Sequence, residues 1–369
     1  LTRHPEFEMI ACISKNDRAR VLFSHLEALD DRFRDLGVVR ARKSDLALGA
    51  ALSPGSSFTN MKREARWSPP VLNGITKRCV ELLDSQPEPV DALIYWGATN
   101  VPLDKTRHKF PYYIITDGPY DPDDANYPDE WRPGRWSRGY LNTQREVFHG
   151  ARHVFTLSEW ARQKVVKVHD LAPTSVTKLG WGPMLCIGEP RIEPTLSPRV
   201  ILSVGNEWHR KGMDMVAKAG ASIHDSNPDT ITMIVGDPAG ASWTRLPGVS
   251  YIPHSLPLTA VQILMREASV FVVASRFDAS PHAIPEAMQY GTPVVATNVC
   301  GIPEAVGAPR GGLVINEPTA LSLEESIREI LSPDSVTTRK SAFDEHVASG
   351  GWDRCARILR DRVLADSLV

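Results

Sequence analysis

SRFDASPHAIPEAMQYGTPVVAT, residues 275–297, decides the fold. It follows VFVV at 270–273, a short run that is apolar on consecutive residues, as a strand covered on both faces of a sheet should be. A loop containing Asp278 comes next, and a short helix is expected to begin near Pro285-Glu286. Proline suits the first helical position because its missing N–H would have no partner there anyway. The small-residue turn Gly291-Thr292-Pro293 then leads into a second buried run, PVVA at 293–296. Strand, loop, helix and strand make the repeating unit of a doubly wound parallel sheet. Such sheets bind ligands beyond the C-terminal ends of their strands, where helix N-termini stabilise phosphate. The loop at 279–284 therefore presents backbone N–H groups at a binding edge. Asp278 and Glu286 bracket it with seven residues between them. A carboxylate in the first helical turn suits a ribose diol by accepting two hydrogen bonds, and the other can accept from sugar hydroxyls. Singly, Glu286 is explained by the helix dipole and Asp278 as a plain loop residue. The combination with the turn and the second strand favours a site.

Working outward, ILSVGNEWHRKGMDMVAKA at 201–219 repeats the pattern: a buried strand ends at Val204-Gly205 and a helix starts near Gly212-Met213. Arg210 and Lys211 lie in the polar loop between, at the same strand edge. A diphosphate carries more charge than helix dipoles neutralise, so a Lys or Arg clamp is required. A solvated Arg-Lys pair is the plainer reading of those two residues. MIVGDPAG at 233–240 is a strand-to-turn signal and nothing more.

The same alternation runs through the whole chain. Strands are expected at 8–13, 92–96, 112–116 and 153–157 in the first half, and at 200–204, 231–235, 270–273 and 293–296 in the second. Helical patterns lie between, for example at 213–224, 258–268 and 321–331. The break falls in 180–198, where Gly-Trp-Gly-Pro precedes GEPRIEPTLSP. The expected fold class is α/β, two Rossmann-like doubly wound domains facing a cleft. Residues 1–182 form the first domain, 183–198 a linker and 199–345 the second; a C-terminal helix in 346–369 crosses back to the first. The stretch 118–139 is a long loop dense in Asp, Pro and aromatics, the kind that often serves as a binding loop or lid. Its Trp131, Arg132, Trp136 and Arg138 are placed to stack a sugar or aglycone, or simply to anchor the loop.

At 369 residues the chain suits two domains. It is 42% hydrophobic and 23% charged with a net charge of −2, which argues against a dedicated nucleic-acid binder. The basic segment RFRDLGVVRARK at 32–43 reads as a solvated face beside a strand, or as a surface for peripheral membrane contact. Five widely spaced cysteines include no Cys-x-x-Cys and no Cys/His cluster, so no metal site is expected. Reduced, mostly buried thiols and a cytoplasmic location are the expectation. No run of about 18 apolar residues supplies a transmembrane segment, and no secretory leader is visible. The chain begins at Leu1 rather than Met.

These residues together resemble family 4 of the retaining glycosyltransferases, which have the GT-B fold. The family pattern of a carboxylate, seven residues and Glu-Ala-Met, then Gly-x-Pro-Val-Val-Ala and Gly-x-Pro-Glu, reads here Asp278…Glu286-Ala287-Met288, Gly291-Thr292-Pro293-Val294-Val295-Ala296 and Gly301-Ile302-Pro303-Glu304. Val-Gly-Arg followed by Lys-Gly is met by Val204-Gly205-Asn206 and Lys211-Gly212. HVFTLSEWARQKVV at 153–166 also looks like the family. The resemblance implies that Lys211 binds the diphosphate of a UDP- or GDP-sugar donor and Glu286 its ribose. It implies that Asp278 contacts sugar hydroxyls and that backbone groups of His282, Ala283 and Ile284 hold phosphate. It also implies retention of configuration without metal or other cofactor, the leaving phosphate helping to deprotonate the acceptor. The first domain would meet that acceptor, a small molecule, a lipid-linked group or a glycan; base recognition would fall near 251–256.

Three departures stand out. Asp278 replaces the usual Glu, with shorter reach. Asn206 stands where a phosphate-binding Arg is expected, with Arg210 close enough to substitute. Asp117, in Ile115-Thr116-Asp117-Gly118, takes the place of a His after a first-domain strand, either as a catalytic residue facing the cleft or as an acid with no role there. A Gly-rich loop after the first strand is not visible, as if the chain began downstream of that strand. Other GT-B chemistry, such as nucleotide-sugar epimerisation or use of a non-sugar donor, is the competing enzyme class. A catalytically weak donor-binding subunit is the non-enzyme alternative. A Rossmann dehydrogenase is excluded by the lack of Gly-x-Gly-x-x-Gly after a strand.

Overall fold

A computed structural model describes residues 7–14, 17–52, 65, 68–97, 109–121, 135–193, 199–236, 245–253 and 255–367. The backbone divides into two compact units, residues 1–180 with 352–369, and residues 181–351. Each is built on a six-stranded sheet, and every strand pairing among the described residues is parallel.

The first sheet contains β1 (Ile10–Ser14), β2 (Phe33–Val38), β3 (Ala92–Trp96), β4 (Tyr112–Thr116), β5 (His153–Thr156) and β6 (Val176–Lys178) in the order β2-β1-β3-β4-β5-β6. Helices α1 (Arg18–Leu29), α2 (Lys43–Ala51), α3 (Pro69–Asp84), α4 (Arg135–Gly150) and α5 (Glu159–His169) link these strands. Strands β1, β3 and β4 are buried at every residue. Alternate residues Ala11, Ile13, Leu93, Tyr95 and Ile114 face one core with Cys79, Phe148 and Val165. The last helix, Gly351–Ser367, adds Trp352 against the edge of the Trp96 ring, centroids 5.9 Å apart, and the Tyr113 hydroxyl donates to Asp366 at 3.2 Å. β1 is interior to its sheet, and the sequence after it, Lys15-Asn16-Asp17, contains no glycine.

The second sheet contains β7 (Arg199–Gly205), β8 (Thr230–Gly236), β9 (Val249–Pro253), β10 (Val270–Val273), β11 (Val294–Thr297) and β12 (Gly312–Ile315) in the order β12-β11-β10-β7-β8-β9. Helices α6 (Met213–Ser226), α7 (Leu258–Glu267), α8 (Ala283–Met288), α9 (Ile302–Val306), α10 (Ala320–Leu331) and α11 (Arg339–Ser349) cover it; we label Gly351–Ser367 α12. Both faces are packed. Ile201, Val270, Val272 and Val295 belong to one core, whereas their neighbours Leu202, Phe271, Val273 and Val294 belong to the other. That two-sided burial is why these strands read as unbroken apolar runs.

The chain winds from β7 outward to β9, returns, and winds from β10 outward to β12. Its direction thus reverses between the neighbours β7 and β10, which places the ligand-binding crevice of an open α/β sheet at their C-terminal ends. One expectation changes here. Helix α8 starts at Ala283, so Pro285 is its third residue rather than its first. The reason for tolerating it is unchanged, since the first four N–H groups of a helix lack intrahelical partners. Within the stretch expected as a linker, the chain is hydrogen-bonded to the second unit. Leu185 O accepts from Gln289 at 2.9 Å, Ile187 N donates to the Tyr290 hydroxyl at 2.9 Å, and Arg191 N donates to Tyr290 O at 3.0 Å. Among the thiols, Cys12, Cys79 and Cys355 are buried and Cys186 is exposed; desolvation holds Cys79 and Cys355 protonated, pushed up to about 12.

Candidate donor site at the switch point of the second sheet

The geometry starts from two glycines. Gly212 sits at the N-cap of α6 with φ +67°, and a Cβ there would lie 1.9 Å from Ala274 O. Only a residue without Cβ lets this loop run so close to the end of β10. At Gly205, the end of β7, a Cβ would come within 2.9 Å of Lys211 Cγ, so the missing side chain makes room for the lysine stem. The Arg210 carbonyl accepts from Arg276 N at 2.7 Å, and Arg276 makes a two-pronged ion pair with Asp214, both contacts 2.8 Å. Burial pushes the Asp214 carboxyl up, yet the Arg276 bonds outweigh it and leave that group below its ordinary value. The loops after β7 and β10 are thereby locked to each other.

Within this frame Lys211, after β7, meets Asp278, after β10: Lys211 Nζ donates to Asp278 Oδ2 at 2.6 Å. The pair spans the switch point. Asp278 is 7% exposed, and its Oδ1 accepts from Ser280 N at 3.3 Å. The Ser280 hydroxyl lies 3.1 Å from His282 Nε2 and accepts from Trp181 Nε1 at 3.3 Å. His282 is buried at the N-cap of α8. Ile284 N donates to Pro281 O at 3.0 Å and Glu286 N to His282 O at 3.3 Å. The Ala279 and Ala283 amides find no acceptor among the described residues. The Ala283 amide opens α8 and the Ala279 amide lies in the loop before it, donors of the kind that phosphate binding requires. Glu286, on the first turn of α8, is also 7% exposed.

Of the site residues read from the sequence, Gly205, Lys211, Asp278, His282, Ala283, Ile284 and Glu286 gather at one strand edge, and three others stand apart. Arg210 is committed elsewhere: its guanidinium pairs with Glu207 and donates to Phe277 O at 2.8 Å. Asn206 is exposed in the bend after Gly205. Asp117 lies in the first unit, just beyond β4, and its buried Oδ1 has no hydrogen-bond partner among the described residues. Trp131 and Arg132 lie outside the described residues, as do the side chains of Trp136 and Arg138 and the last four residues of MIVGDPAG. Near 251–256, the Tyr251 hydroxyl donates to Gly236 O at 2.7 Å and its ring meets Trp208 edge-on at 6.4 Å.

One residue escaped the sequence reading. Arg339 of α11 is buried and donates to the carbonyls of Ala268, Arg266 and Tyr290, and to that of Arg191. It ties the chain before β7 to the ends of α7 and α8. Burial pulls its guanidinium down to about 10. A lone Arg on a polar helix gave no signal for this.

Residues 190–342 match the family model described as "Glycosyl transferases group 1". A D-inositol 3-phosphate glycosyltransferase of Mycolicibacterium vanbaalenii is 23% identical over 239 residues, 57% of this chain and 52% of that protein. The chain thus spans about half the length of the curated relatives it matches. Among solved structures, sucrose-phosphate synthase from Thermosynechococcus elongatus superposes with a TM-score of 0.71 at 15% identity, covering 97% of this chain and 100% of that one. A UDP-forming α,α-trehalose-phosphate synthase from Burkholderia xenovorans gives 0.64 at 13% identity, with 98% of each chain covered. Residues 190–342 are thus similar to the group 1 glycosyl transferases, and the fold of two Rossmann-like α/β domains is shared with these solved structures.

Proposed function

We propose that the chain transfers a sugar from a UDP- or GDP-sugar to an acceptor recruited by the first unit, with retention of configuration. The observation that carries this reading is the convergence at one switch point of Lys211, Asp278, Glu286 and the free amides of Ala279 and Ala283. In the reading, Lys211 and the two amides take the diphosphate, Glu286 accepts the ribose hydroxyls and Asp278 accepts sugar hydroxyls. His282 and Ile284 help shape the loop, and Gly205 keeps it open to the lysine. The nucleotide sugar is a co-substrate, and the reaction proceeds without metal or other cofactor. Asp117 is the first-unit residue assigned to the reacting centre. Among the described residues no helix is long and apolar enough to cross a membrane; action in the cytoplasm, where nucleotide sugars are at hand, follows from the proposal.

A thermal-shift panel of UDP- and GDP-sugars tests it, because a true donor stabilises the folded state by mass action, about 2.7 kcal/mol at a hundredfold excess over Kd. At least one donor should raise the melting temperature, and turnover with an acceptor should survive EDTA and keep the anomeric configuration. A panel without a single stabilising donor removes the reading. Donor interconversion without acceptor points to an epimerase, and donor binding without turnover to a donor-binding subunit.

A further inference from the structure

Lys211 does not stand as a free cation. One carboxylate, Asp278, occupies both its ammonium group at 2.6 Å and the Ser280 amide at 3.3 Å. These are the two kinds of donor that a phosphate group requires. The surroundings deepen the competition. Arg210 is paired with Glu207, position 206 carries an uncharged Asn, and Glu286 adds another buried carboxylate. Asp278 and Glu286 thus place two buried carboxylates at the loop, in a site where partial burial weakens screening by water. A diphosphate entering it meets a lysine already engaged and two like charges.

We propose that Asp278 is a specificity-determining residue that competes with diphosphate for Lys211 and yields when the hydroxyls of an attached sugar take up its carboxylate. The inference rests on the donor-site reading above. With an intact nucleotide sugar, Lys211 passes to the diphosphate while Asp278 passes to sugar hydroxyls, and both members of the pair are satisfied again. With a bare nucleoside diphosphate, Lys211 finds a partner but Asp278 is left as a buried charge beside phosphate, with no donor in exchange. The site therefore favours the sugar-bearing donor over the nucleoside diphosphate that transfer leaves behind. Re-formation of the Lys211–Asp278 pair then assists release of that product. The short Asp side chain, held at its second oxygen by Ser280 N, keeps the carboxylate at the lysine rather than reaching past it.

Calorimetric titration of UDP and GDP into the wild-type chain, Asp278→Asn, Lys211→Met and the double variant tests the competition. Asp278→Asn should bind the favoured nucleoside diphosphate roughly tenfold more tightly than wild type. In the Lys211→Met background the same change should gain about threefold or less, because the contested cation is gone. Asp278→Ser gives a second neutral variant if the Asn form melts early. Unchanged or weaker diphosphate binding by the neutral variants, or an equal gain in both backgrounds, overturns the competition while leaving the donor site standing. Failure of the wild-type chain to bind either nucleotide or any nucleotide sugar overturns the donor-site reading itself.

Discussion

The two sheets share a parallel, doubly wound construction, yet among the described residues their candidate site residues stand differently to the two switch points. In the second unit the chain reverses between β7 and β10, and the loops beyond both strands carry Lys211, Asp278 and the start of α8. In the first unit the reversal falls between β1 and β3. Asp117 follows β4, one strand away from that point. The difference teaches that topology locates a crevice, whereas chemistry must be supplied by the loops that end there. Among the described residues, the second unit's switch point is charged and braced, whereas the first unit's candidate acid lies a strand away from its own.

The sharpest way to break this contrast is Glu286→Ala. Loss of a charged acceptor for two ribose hydroxyls should weaken nucleotide-sugar binding about a hundredfold. The fold should survive, since α8 keeps its Gln289 and Tyr290 anchors. Unaltered donor affinity by calorimetry would remove Glu286 from the site. Lys211→Ala comes next, with a loss of roughly thirtyfold for UDP or GDP and little for the matching nucleoside. An equal loss for both ligands contradicts a diphosphate role. Asp117→Asn probes the other side: donor affinity should hold while turnover drops about tenfold. Lowered donor affinity there would blur the division between the units.

The smallest effect concerns acid. His153 and His169, both in the first unit, are buried and pulled down to about 4, chiefly by desolvation. Their folded forms are neutral, so the stabilisation they allow is complete above the unfolded pKa near 6.5. It is lost as pH falls from about 6.5 towards 4, where the unfolded chain takes up protons that the folded chain refuses. By pH 5.5 the cost should reach about 1 kcal/mol for each histidine. Among the described residues of the second unit, His346 is lowered by the same cause. Scanning calorimetry from pH 7 to 5 should show the first unit softening sooner, and His169→Gln should flatten its pH dependence. A pH response equal in the two units contradicts the assignment.

How much of this was legible follows from burial. The eight strands expected from sequence are the inner strands β1, β3, β4, β5, β7, β8, β10 and β11, packed on both faces. The four missed, β2, β6, β9 and β12, are the edges of the two sheets. Their partial exposure, as in Phe33–Val38 and Val249–Pro253, breaks the apolar run on which the reading depends. The basic segment at 32–43 accordingly contains an edge strand instead of merely lying beside one. In the site, Asp278 and Lys211 were readable because each follows a strand end by a few residues, and Glu286 because it lies in the first turn of a helix. Their pairing was not, since the Lys211–Asp278 contact spans 67 positions and depends on the close approach at Gly212. The partners of Arg210 were hidden for the same reason, because Glu207 and the Phe277 carbonyl meet it only once the loops are folded together.

The central claim is that the nucleotide donor binds at the β7–β10 switch point. A crystal structure with UDP or GDP tests it most directly. The account predicts both ribose hydroxyls on the Glu286 carboxylate and the phosphates between Lys211 Nζ and the Ala279 and Ala283 amides, with Asp278 turned from the lysine. A nucleotide seated elsewhere, with the Lys211–Asp278 pair intact and Glu286 untouched, contradicts it.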